Sequence, residues 1–101
     1  MKILCICNQG NKRSVFTKAL LNYDHDALAA GIDVNSAETI RLLCNWADKI
    51  LLAEPATNIP MESLHKVDTR FSIGPDIYPV VITGKLRKII QAKLIELGYI
   101  K

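Results

Sequence analysis

Apolar residues along this chain fall into short continuous runs that alternate with longer repeats of helical spacing. Residues 3–7 and 50–53 form short apolar runs, each followed by a polar or proline-containing segment. This pattern is typical of strands buried on both faces of a parallel sheet. Residues 25–31 and 67–71 carry weaker signals of the same kind. The pattern therefore predicts a sheet of four strands.

Three other segments repeat their apolar residues at the spacing of one helix face. They cover residues 14–22, 37–47 and 84–97. Ser36 is well suited to begin the second helix as its N-cap, and Gly98 to end the third in a left-handed conformation. Because strands and helices alternate along the chain, the predicted fold is an α/β domain. It should have three layers around a central, mostly parallel, four-stranded sheet.

Length and composition limit what the domain can do. The chain has 101 residues, of which 50% are hydrophobic and 23% are charged, so we expect a single domain over residues 1–101. The formal net charge is only +3 and the charges are scattered along the sequence. This is too weak to indicate a nucleic-acid partner, whereas a small anionic substrate is compatible with it.

The three cysteines indicate a reduced, cytoplasmic protein. Their number is odd, two of them lie in the first apolar run, and the first residues do not resemble a signal peptide. No stretch approaches the roughly 20 apolar residues that span a bilayer, so we expect no membrane association. No cysteine and histidine residues have the spacing of a zinc site, so we expect no metal and no cofactor. The oligomeric state is left open.

Candidate chemistry is concentrated where the first predicted strand ends. Cys7 is followed by five residues and then by Arg13 and Ser14, and ligands of open α/β sheets bind at such strand ends. Five residues can wrap their N–H groups around an oxyanion, and an arginine can bind two phosphoryl oxygens. The start of the following helix would favour the thiolate form of Cys7. The alternative interpretation of Cys7 is a small core residue.

The pattern Cys-x5-Arg-Ser resembles the phosphate-binding loop of low-molecular-weight protein tyrosine phosphatases. That family carries its general acid in an Asp-Pro-Tyr loop near the C-terminus, and this chain has Asp76-Ile77-Tyr78 before its last predicted helix. The order of the predicted elements is similar over the whole chain. The resemblance implies a phosphotyrosine phosphatase I-like fold and a short, divergent member of the family.

The resemblance also implies a role for each matching residue. Cys7 would attack phosphorus and form a phosphocysteine, Arg13 would hold the phosphoryl oxygens, and Asp76 would act as general acid and then as general base. The substrate would be a phosphorylated protein or a small aryl phosphate. The residues that bind substrate or phosphate would be Asn8, Gln9, Gly10, Asn11, Lys12, Ser14 and Tyr78.

Departures from the family pattern leave alternatives open. The Gly10-Asn11 pair comes one residue later than in the family, Lys12 stands where a second cysteine is common, and Ile77 replaces the proline. One alternative is a phosphocysteine phosphocarrier similar to the IIB component of sugar phosphotransferase systems. Another is a non-catalytic phosphate-binding module. Arsenate reductases share the loop but need two further cysteines, which Cys44 alone cannot supply.

Overall fold

Three parallel strands lie between helices in the computed structural model, which describes residues 1–7, 13–53, 59–71 and 83–101. Each strand and α-helix begins and ends within one residue of its predicted bounds. No helix in the described ranges is long and apolar enough to cross a membrane. The elements are β1 (Lys2–Cys7), α1 (Arg13–Leu21), β2 (Asp26–Gly31), α2 (Ala37–Trp46), β3 (Lys49–Leu52), a 3-10 helix (Met61–Lys66) and α3 (Thr83–Glu96).

The sheet has the order β2-β1-β3, so the first strand of the chain is its centre. Both neighbours run parallel to β1, with Cys7 opposite Gly31 and Ile6 opposite Leu52. The strand predicted over residues 67–71 is represented by one parallel bridge, between Val67 and Ile50, on the other side of β3. The described residues therefore form a three-stranded sheet with a single bridge where the fourth strand was predicted.

Side chains of β1 alternate between two hydrophobic cores. Ile3, Cys5 and Cys7 face the core that is closed by α1 and α3, whereas Leu4 and Ile6 face the core that is closed by α2. All five are at most 6% exposed. Full burial of a single Ile or Leu contributes about 1.5–3 kcal/mol, so this strand anchors both layers. The three-layer α/β arrangement predicted from the sequence is confirmed.

Two asparagines cover the outer side of the edge strand β2. The Ala27 N–H donates to Asn22 Oδ1 at 3.1 Å, and the Gly31 N–H donates to Asn35 Oδ1 at 2.8 Å. These N–H groups face away from β1. Without the two asparagines, the edge strand would present them to another chain. Asn35 also closes the turn after β2, because its own N–H donates to the Gly31 carbonyl at 2.9 Å.

Gly98 ends α3 as predicted, with a φ of 83°. The Gly98 N–H donates to the Ile95 carbonyl at 3.0 Å, and the Tyr99 N–H donates to the Leu94 carbonyl at 2.9 Å. This pair of bonds is the Schellman arrangement, which satisfies carbonyl groups of the last helical turn. The turn fixes the backbone of Tyr99 next to the end of the helix.

Tyr99 joins a polar cluster around the buried carboxylate of Asp68. The carboxylate accepts hydrogen bonds from Arg70 Nε at 2.9 Å, from Arg70 Nη2 at 2.7 Å and from the Tyr99 hydroxyl at 2.6 Å. The bonds from Arg70, supported by the bond from Tyr99, hold the pKa of Asp68 well below its usual range. Burial, together with the bond to Asp68, raises the pKa of Tyr99 to about 12. The cluster ties the segment after Val67 to the end of α3.

We expect the protein to lose stability in acid because of Asp68. Since the folded state lowers the pKa of Asp68, its contribution is complete above the unfolded value of about 3.9 and is lost as the pH falls through the folded value. Asp68→Asn should lower the free energy of unfolding by about 2 kcal/mol at pH 7, the typical worth of hydrogen bonds to a charged group. Between pH 5 and pH 2, the free energy of unfolding of this variant should also fall less than that of the unmodified protein.

Urea unfolding at a series of pH values measures both effects. Asp24→Asn is the matched control, because Asp24 is an exposed aspartate in the turn after α1. The control should retain the stability and the acid dependence of the unmodified protein. An acid dependence of Asp68→Asn as steep as that of the unmodified protein would contradict the assignment to Asp68.

Candidate functional site

The two ends of the Cys-x5-Arg-Ser pattern are in direct contact. Cys7 is the last residue of β1 and Ser14 is the second residue of α1, and the Cys7 thiol donates to Ser14 Oγ at 3.2 Å. Both residues are buried, at 6% and 1% exposure. A buried sulfur and a buried hydroxyl at this distance fix the end of the strand against the start of the helix.

Arg13 is the first residue of α1 and is only 1% exposed. Arginine is rarely this deeply buried, so its burial directly before the serine that contacts Cys7 distinguishes this end of the sheet. Its backbone is held in the first turn of the helix, because the Thr17 hydroxyl donates to the Arg13 carbonyl at 2.6 Å. Cys7, Arg13 and Ser14 are therefore gathered where β1 meets α1.

The backbone of β1 is fixed by both neighbouring segments at this edge. The Ile32 N–H donates to the Cys7 carbonyl at 3.0 Å, and the Ala53 N–H donates to the Ile6 carbonyl at 2.8 Å. These bonds continue the ladders of the sheet past the ends of β2 and β3. Cys7 consequently stands on a rigid strand end, at the edge where open α/β sheets bind their ligands.

The other two cysteines are core residues, as predicted. Cys5 is 1% exposed and packs in the same core as Cys7, whereas Cys44 is 0% exposed and packs on the α2 side of the sheet. Burial raises the pKa of the Cys5 thiol far above its usual value, and the nearby Cys7 adds to the effect. Burial also raises the pKa of the Cys44 thiol. Burial and the raised pKa both disfavour the reactive thiolate form of these two sulfurs.

His25 has a structural contact with the end of α3. Its Nε2 donates to the Tyr99 carbonyl at 2.8 Å, and the two rings meet edge to face with centroids 6.5 Å apart. Because a carbonyl only accepts, Nε2 carries the proton in this contact. Within the part of the chain that the structure describes, no three His, Cys, Asp or Glu residues are grouped closely enough to hold a metal ion.

Several of the predicted site residues lie outside the described ranges, so their roles stay predictions from the sequence. Within the described ranges, the structure brings together Cys7, Arg13 and Ser14 and bears on no other predicted site residue. The residues outside are Asn8, Gln9, Gly10, Asn11, Lys12, Asp76 and Tyr78.

One surface feature near this edge was not predicted. A cavity of about 360 Å³ lies between the turn after β2, the first residues of α2 and the segment before the 3-10 helix. We call it the α2 groove. Its walls come from distant parts of the sequence, so no local pattern could have indicated it. Its lining includes Ile32, Asn35, Ala37, Arg41, Ile59 and Pro60.

Comparisons with known proteins identify no relative of this chain. No protein-family model matches it, and neither does any curated protein or any solved structure at a significant level.

Proposed function

We propose that this protein is a phosphomonoester hydrolase of the low-molecular-weight protein tyrosine phosphatase type, acting through a phosphocysteine on Cys7. The observation that carries the proposal is the 3.2 Å contact between Cys7 Sγ and Ser14 Oγ, next to the buried Arg13. A cysteine kept only for packing needs no hydroxyl at its sulfur. A hydroxyl at this position favours a nucleophilic cysteine, because the serine hydroxyl can turn and donate to the thiolate.

In the first step the Cys7 thiolate attacks the phosphorus of the bound phosphomonoester. The S–P bond forms while the bond from phosphorus to the leaving oxygen breaks. Asp76, as a carboxylic acid, gives its proton to that oxygen and becomes a carboxylate. Arg13 and the backbone N–H groups of residues 8–13 balance the negative charge of the phosphoryl oxygens during the transfer.

In the second step water hydrolyses the phosphocysteine. The Asp76 carboxylate takes a proton from the water as the water oxygen attacks phosphorus, and the S–P bond breaks. Inorganic phosphate leaves, the Cys7 thiolate is restored and Asp76 is again protonated. No cofactor takes part in this cycle. We propose phosphorylated proteins and small aryl phosphates as substrates, with Tyr78 stacking on the aryl ring.

The proposal extends to the rest of the fold. We infer that the chain is a single phosphotyrosine phosphatase I-like domain whose fourth strand follows β3. The parallel bridge from Val67 to Ile50 supports this, because it continues the order β2-β1-β3 in the same direction. We also propose that the domain acts in the reducing environment of the cytoplasm, where a nucleophilic thiol remains available.

We expect the purified, reduced protein to hydrolyse para-nitrophenyl phosphate. Cys7→Ser should abolish turnover because no thiolate remains to attack phosphorus. Asp76→Asn should lower kcat by about 10²–10⁴-fold, the usual worth of a positioned general acid. Release of para-nitrophenolate measures both effects.

Two matched variants serve as controls. Cys44→Ala removes a buried thiol from the opposite face of the sheet, and Asp24→Asn removes an exposed carboxylate. Both should retain turnover. If the folded, reduced protein shows no turnover above background, the enzyme proposal is wrong. If phosphate then protects Cys7 from alkylation, the result favours a phosphate-binding module. If a phosphocarrier protein phosphorylates Cys7, the result favours the phosphocarrier.

A separate prediction concerns Ser14. Ser14→Ala should lower kcat by about 10–100-fold, because a hydrogen bond to a charged group is worth about 1.5–3 kcal/mol. Ser14→Thr keeps the hydroxyl and should restore most of the activity, which a loss of packing alone would not explain. Steady-state kinetics on para-nitrophenyl phosphate, with urea unfolding of each variant, provides the measurement. Equal activity of the unmodified protein and Ser14→Ala would exclude a role for this hydroxyl in the reaction.

A further inference from the structure

The α2 groove is elongated along α2, because a second depression adjoins the cavity described above, which forms the first depression. The two depressions share Ala37 and Arg41 as lining residues. The first depression has apolar walls that include Ile32, Ile59 and Pro60. The second reaches the side chain of Leu42, which is 63% exposed. A ligand that follows this surface would have an extended shape rather than the shape of a small ion.

The groove begins one strand away from the proposed nucleophile. Ile32 forms part of its wall, and the Ile32 N–H donates to the Cys7 carbonyl at 3.0 Å. Gly31 pairs with Cys7 across a strand spacing of about 4.8 Å. The Cys7 side chain lies on the α1 face of the sheet, whereas the groove lies on the α2 face. A molecule bound at both places must therefore cross the carboxyl edge of the sheet.

The first depression favours an acidic ligand, because Arg41 is the charged residue among its described lining residues, whereas the second depression is also lined by Glu38. Arg41 lines both depressions, and its Nε lies 3.8 Å from Glu62 Oε1. Both side chains of this pair are more than half exposed, at 65% and 56%. Exposed pairs of this kind contribute about 0–1 kcal/mol, so a carboxylate of a ligand can replace Glu62 at little cost. Asn35, at the near end of the groove, adds a side-chain amide.

We propose that the α2 groove binds the polypeptide segment next to the phosphorylated residue of a protein substrate. An apolar side chain of that segment occupies the walls formed by Ile32, Ile59 and Pro60, and an acidic side chain pairs with Arg41. This inference rests on the proposed function, because the phosphorylated residue is the part held at Cys7. A small aryl phosphate then uses only the phosphate-binding part of the site.

The test compares kcat/KM for para-nitrophenyl phosphate with kcat/KM for two phosphotyrosine peptides of equal length. One peptide has leucine and glutamate next to the phosphotyrosine, and the other has serine and lysine there. We expect the unmodified protein to prefer the first peptide about tenfold, the usual discrimination from an apolar pocket. Ala37→Phe fills the junction of the two depressions. It should lower the ratio of kcat/KM for the first peptide to kcat/KM for para-nitrophenyl phosphate about tenfold. Arg41→Glu should lower the same ratio about tenfold.

Arg87→Glu is the control for charge reversal, since Arg87 is an exposed residue of α3 on the other face of the sheet. It should leave the ratio unchanged. Circular dichroism and Tm establish whether each variant is folded. If Ala37→Phe is not folded, the result with Arg41→Glu decides the test.

The possible failures can be told apart. If para-nitrophenyl phosphate is hydrolysed but neither groove variant changes the ratio, the groove proposal is overturned and the phosphatase proposal stands. If the unmodified protein hydrolyses none of the three compounds, the phosphatase proposal fails and the groove proposal fails with it.

Discussion

The central strand β1 has to fill two hydrophobic cores at once, and the position of the site depends on this requirement. Successive side chains of a strand point to opposite faces, so Ile3 and Cys5 face α1 and α3 while Leu4 and Ile6 face α2. The same alternation brings Cys7 to the α1 face, where Ser14 meets its sulfur. A slip of one residue would turn Cys7 towards α2 and away from the Ser14 hydroxyl. The packing of both cores and the contact between Cys7 and Ser14 therefore depend on the same register of β1.

The sequence predicted most of the elements because their signals are local. Continuous apolar runs indicated β1 and β3, and the helical repeats indicated α1, α2 and α3 within one residue of their bounds. The caps were also predictable, since Ser36 accepts a hydrogen bond from the Thr39 N–H and Gly98 has a positive φ. The fourth strand was predicted on a weaker signal, and the described residues show a single bridge at Val67.

Features that depend on distant residues could not be predicted in this way. Asp68 and Tyr99 are separated by 31 positions, and neither has a neighbour in sequence that indicates their hydrogen bond. The α2 groove combines Ile32 and Arg41 with Ile59, which only the folded chain brings together. For the candidate site, the sequence predicted that Cys7, Arg13 and Ser14 belong together. The expected role of Asp76 depends on its order in the chain and on the family resemblance.

The asparagines beside β2 also restrict how copies of this protein can associate. Hydrogen bonds to β1 alternate along the strand, so the N–H groups of Ala27, Ala29 and Gly31 point outward, and Asn22 and Asn35 occupy the first and last. Within β2, only the Ala29 donor is left for an incoming strand. Edge-to-edge pairing, a common route to aggregation, is thereby disfavoured on this side. Among the described strands, the addition of a strand is therefore favoured beside β3, where Val67 already pairs with Ile50.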